Sequence, residues 1–63
     1  MNVFLSEYVS NDQRQRKAVI YDQFGYLVEL WENGRKVETR DCSQHTKEYA
    51  ENCAQNWIEG IIP

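Results

Sequence analysis

The chain is expected to fold as a small α+β domain, an antiparallel sheet of three to four strands packed on one C-terminal amphipathic helix in the order βββ(β)α. Two observations predict it. Two hairpin signals, Asp22-Gln-Phe-Gly25 and Asn33-Gly34, independently fix strand registers that agree on which residues share a face. The last third then switches from period two to the i, i+3, i+4, i+7 spacing of a helix. At 63 residues there is room for one domain and one core. The 41% hydrophobic and 13% aromatic content is enough to build that core.

Asn2 to Val9 reads as the first strand, with Val3 and Leu5 on one side and Phe4 and Tyr8 on the other. The polar run from Ser10 to Arg16 has no periodicity and reads as a loop. Lys17 to Tyr21 is the second strand, and in the turn after it Gly25 should take the left-handed conformation, pairing Asp22 with Tyr26. Ile20 then faces Val28, and Ala18 faces Leu30. The third strand, Tyr26 to Glu32, ends at Asn33-Gly34, whose two-residue loop pairs Glu32 with Arg35, Leu30 with Val37 and Val28 with Thr39. Ala18, Ile20, Val28, Leu30 and Val37 thus share the core face.

His45 to Glu59 reads as the helix, with Tyr49, Ala50, Cys53, Ala54, Trp57, Ile58 and Ile61 on its apolar stripe. Ser43 or Thr46 can cap its start, and Gly60 suits its end. The stripe places Trp57 in the core and leaves Glu48, Glu51 and Glu59 on a solvated face.

The outer face of the sheet carries Lys17, Val19, Tyr21, Leu27, Glu29, Trp31, Lys36, Glu38 and Arg40, with no second helix to cover it. Lys17 and Lys36 flank Trp31 in this register, the setting of a cation–π contact. Either Phe4 and Tyr8 fold over the face, or it binds something. Val19, Tyr21, Leu27, Trp31, Lys36 and Arg40 are the expected partner-binding residues, since large aromatics flanked by cations are common interface anchors. The expected partner is another protein, gripped through this face or a sheet edge, or a second copy of the chain in a homodimer. The alternative is DNA or RNA, gripped by Arg14, Arg16, Lys17, Lys36 and Arg40. Three strands and a helix with Arg and Trp on the open face is also the layout of a class of plant DNA-binding domains. Against it stand a net charge of −3 and the pair Glu29 and Glu38, placed opposite each other at the middle of the surface.

Catalysis and cofactors find little footing. Cys42, His45 and Cys53, even with Asp41 added, do not match the spacing of structural zinc sites, so no metal or cofactor is expected. A Cys42–His45 dyad lacks an evident orienting partner, and no glycine-rich phosphate loop exists. The reading is therefore non-enzymatic. Cys42 before the helix and Cys53 two turns inside it are expected to lie too far apart to bridge. The short apolar runs and the N-terminal sequence resemble neither a membrane span nor a signal peptide, which implies a cytoplasmic protein.

The segment HTKEYAENCAQNWIEGI resembles the closing helix of small proteins of T4-like marine cyanophages, through Tyr49, Ala50, Glu51, Ala54, Asn56 and Trp57. Cys53 departs from that pattern. The resemblance implies a phage protein working in the host cytoplasm by binding a host protein.

Overall fold

A computed structural model describes residues 3–10 and 13–60. They form four strands, β1 (Val3–Val9), β2 (Arg16–Asp22), β3 (Tyr26–Glu32) and β4 (Arg35–Cys42), followed by one helix, α1 (Lys47–Glu59). The strands make a single antiparallel sheet in sequence order, and α1 packs across β2 and β3 with a lighter contact to β1. The α+β arrangement is the expected one, with the fourth strand present. Asn2 and Ile61, assigned by the sequence to the first strand and the helical stripe, lie outside the described residues.

The β2–β3 pairing matches the expected register, with Ala18 opposite Leu30, Ile20 opposite Val28 and Asp22 opposite Tyr26. Its turn keeps the expected Asp22–Tyr26 pairing and the positive φ at Gly25, and differs at Phe24. Phe24 takes the left-handed conformation at φ 54°, while Gly25 sits at φ 129°. Gly25 is needed for space as well, because a Cβ there would come within 2.5 Å of the Ser43 Cβ. The Asp22 carboxylate accepts a 3.3 Å hydrogen bond from the Gly25 N–H and helps fix the turn.

Asn33 and Gly34 both have positive φ, 54° and 80°, as their sequence signal requires. Glu32 pairs with Arg35 and Trp31 with Lys36. The register then slips by one residue: Leu30 faces Glu38, Val28 faces Arg40 and Tyr26 faces Cys42. Val37 is the extra residue of this bulge and is 53% exposed, so it does not join the core as the simple hairpin count predicts. The gain lies at the other end of β4, where the slip turns Cys42 inward and Asp41 outward. Asp41 then accepts a 2.9 Å bond from the Ser43 N–H at the surface, an arrangement an inward carboxylate would forfeit.

A second bulge at Leu5 divides β1. Phe4 stays opposite Tyr21 on the open face, whereas Tyr8 pairs with Ala18 on the helix side. The expected Phe4/Tyr8 side therefore splits between two faces.

The core is built from Ala18, Ile20, Val28 and Leu30 of the sheet with Cys42, Ala50, Ala54 and Ile58, and Leu5, Tyr8, Tyr26 and Trp57 close its rim. The small residues Ala50 and Ala54 let the helix approach the sheet closely, so the fully buried Ile20, Val28 and Leu30 pack beneath it. Burying each such side chain stabilises the fold by about 1.5–3 kcal/mol. Thr46 caps α1, its hydroxyl accepting a 3.1 Å bond from the Tyr49 N–H, and Gly60 ends it at φ 81°. The helix thus starts two residues later than the apolar spacing suggests. Tyr49, expected on the buried stripe, is exposed and stacks on His45 with ring centroids 3.9 Å apart. Among the described residues no helix is long and apolar enough to cross a membrane.

Candidate interaction face

The side of the sheet away from α1 is covered by no described element. Register places Phe4, Glu7 and Val9 of β1, Lys17, Val19 and Tyr21 of β2, Leu27, Glu29 and Trp31 of β3, and Lys36, Thr39 and Asp41 of β4 on it. Side chains two residues apart on a strand share a face, so the alternation of β2 and β3 alone builds most of this surface.

Val19 is only 5% exposed although no described helix lies above it. The taller side chains around it on the same face supply its cover. Trp31 is the largest of the group and only half-buried. The Lys17 Nζ lies 5.0 Å from the center of the Trp31 ring, and the indole N–H donates to Glu29 Oε1 at 3.4 Å. Glu29 Oε2 lies 3.7 Å from Lys36 Nζ, and Lys17 Nζ lies 3.9 Å from Glu7 Oε2. A chain of alternating charge therefore runs Glu7, Lys17, Trp31, Glu29, Lys36. Its ion pairs are exposed and worth little to stability, about 0–1 kcal/mol each, so their main effect is to hold the indole in one pose.

At the end of the face nearest the β3–β4 turn is a cleft of about 320 Å³, lined by Val9, Gln15, Lys17, Trp31 and Gly34 among others. The opposite end is aromatic: Phe4 and Tyr21 meet edge to face at 6.2 Å, and Phe24 projects from the β2–β3 turn with 96% of its surface exposed. Sequence reasoning missed Phe24 as a surface feature. The signal was a bulky residue between Gln23 and Gly25 in a turn, where solvent exposure is the rule.

Of the expected partner-binding residues, Val19, Tyr21, Leu27, Trp31 and Lys36 share this face. Arg40 does not. The β4 bulge pairs it with Val28 on the helix side, where its Nε lies 3.0 Å from Glu38 Oε2. The same slip removes Glu38 from the open face, so Glu29 stands opposite Thr39 rather than opposite a second carboxylate. The proposed nucleic-acid set is divided too. Arg16 turns to the helix side, donating to the Trp57 carbonyl at 2.8 Å and to Glu32 at 3.3 Å with its guanidinium 4.6 Å from the Trp57 ring center. Arg14 reaches toward the end of α1, where a Cβ on Gly60 would come within 3.0 Å of its guanidinium. Lys17 and Lys36 alone of that set line the open face.

No family model, curated protein or solved structure matches this chain.

Cys42, buried, and Cys53, half-buried, are both free thiols. Burial, then the neighbouring Cys53, pushes the Cys42 thiol above its usual range. Asp41 moves the other way, its carboxyl held low by the hydrogen bonds from Ser43. Among the described residues, no group of three or more His, Cys, Asp or Glu side chains is placed to hold a metal ion.

Proposed function

We propose that the chain is a non-enzymatic protein-interaction module that binds its partner face-on through the open side of the sheet. Trp31 carries this reading: a half-buried indole, held in place by Lys17 and Glu29, on a face that no described element covers. Tryptophan is enriched among residues that dominate binding energy, and a large side chain with few rotatable bonds loses little entropy on docking. Val19, Tyr21, Leu27 and Lys36 complete the proposed contact, and Phe24 and Phe4 extend it at the far end. The likeness of α1 to a cyanophage helix makes a host protein in the host cytoplasm the proposed partner.

The test is solution mass by light scattering across a concentration series, for wild type and Trp31→Ala. A folded monomer in both cases supports a face kept for a foreign partner. A dimer that Trp31→Ala dissociates assigns the face to self-association. Loss of folding in Trp31→Ala makes the indole part of a second core and removes the proposal.

A further inference from the structure

The charge of the molecule is unevenly placed. In the two rungs of the sheet next to the β3–β4 turn, Arg16 pairs with Glu32 and Glu32 with Arg35, while Lys17 pairs with Trp31 and Trp31 with Lys36. These rungs hold four cations and one carboxylate, with Glu7 and Glu29 reaching Lys17 and Lys36 from the adjoining positions, so this end carries a small positive excess although the whole chain has a net charge of −3. The cleft opens at this cationic end, and its volume of about 320 Å³ is enough for one side chain of moderate size with its neighbouring backbone. One wall is the Trp31 indole and another is Val9, itself 59% exposed; Arg16 and Lys17 also line the cleft, and Lys36 stands beside Trp31 on the neighbouring strand.

Resting on the interaction reading above, we infer that this cleft receives an acidic segment of the partner protein. An apolar side chain of that segment seats between Trp31 and Val9, and flanking carboxylates meet Lys17 and Lys36. Among the described residues the ion pairs of these two lysines are long, 3.9 and 3.7 Å to Glu7 and Glu29, and both ammonium groups are nearly half exposed, so each is open to a second carboxylate. A nucleic-acid strand fits less well. Every unit of such a strand carries a phosphate along a face that also presents Glu7 and Glu29, whereas a peptide need carry only the carboxylates that meet the two lysines.

The experiment is a titration of the full-length, isotope-labelled chain by NMR, with the Trp31 indole N–H signal assigned through Trp31→Phe. The probes are the peptide acetyl-Asp-Glu-Leu-Asp-Glu-amide, its analogues with Gln or Lys in place of every acid, and an oligothymidylate of similar length. The expected result is saturable movement of the Trp31 indole and of amides in the Lys17 and Lys36 rung with the acidic peptide alone. Binding should weaken about tenfold in a Lys17→Gln/Lys36→Gln variant whose remaining spectrum is unchanged. Equal binding of the Gln or Lys analogue overturns the acidic inference and leaves the open-face reading standing. Binding of oligothymidylate with none of the acidic peptide overturns both. Movement of the same signals with protein concentration alone makes a second copy the occupant, and no movement with any probe leaves the cleft unoccupied; either result overturns the inference.

Discussion

Adjacent residues of β2 each set a cation on a tryptophan, one on each face of the sheet, with different consequences. Arg16 lies 4.6 Å from the Trp57 ring center while its guanidinium binds the Trp57 carbonyl and Glu32. Lys17 lies 5.0 Å from the Trp31 ring center and makes one loose contact to Glu7. The first pair ties the end of α1 to the sheet; the second has no described element above it. Arginine suits the first role because its planar fork can stack and bond at once, and lysine suits the second because a mobile ammonium yields easily to another ligand. One motif is therefore a clasp when a helix covers it and an exposed anchor when nothing does.

This contrast can be broken most strongly in the core. Leu30→Ala should destabilise the protein by about 2–5 kcal/mol in urea denaturation, enough to unfold much of a domain this small, whereas Leu27→Ala on the open face should cost about 1 kcal/mol. A similar loss at both sites would mean that the open face is a second core. Next comes the pair of cations. Arg16→Met should cost about 1.5–3 kcal/mol through the lost charged hydrogen bonds, and Lys17→Met less than about 1 kcal/mol. Thr46→Ala removes the cap that fixes the start of the covering helix and should cost about 1 kcal/mol, read as a lower thermal midpoint.

A smaller effect is set by pH. The folded state holds the Cys42 thiol above its ordinary value of 9.0, so the unfolded chain releases this proton first. Stability is thus fully present below pH 9.0 and falls as pH rises through the raised folded value. Tyr8, raised first by burial and then by Glu51, acts with the same sign at still higher pH. Urea midpoints measured between neutral and strongly alkaline pH should decline, and Cys42→Ala should flatten the first part of that decline.

Legibility in the sequence divides along the same lines. Periodicity and turn chemistry are local, so the β2–β3 register, the Asn33-Gly34 turn and the Gly60 cap could all be read directly. The bulges could not. Val37 and Cys42 compete for one inward register of β4, and the choice depends on Ala50 and Ala54 leaving room for a thiol beneath the helix, which is a tertiary fact. That single slip misplaced Arg40 and Glu38, and with them one member of the expected contact and half of the carboxylate pair weighed against nucleic acid. Trp31 was legible because it precedes the slip, so its side of the sheet depends only on the hairpin turn.

The two bulges sit in β1 and β4, the two outermost strands. A regular outer strand offers a straight row of unpaired N–H and C=O groups on which another chain can nucleate a growing stack, and an extra residue bends that row out of line. Both rims of this sheet are therefore poor templates for fibril growth despite the exposed Val3, Phe4 and Val9 beside one of them. Deleting Val37 would straighten β4, and shortened lag times in a thioflavin assay would show that the irregular residue had been keeping the protein in solution.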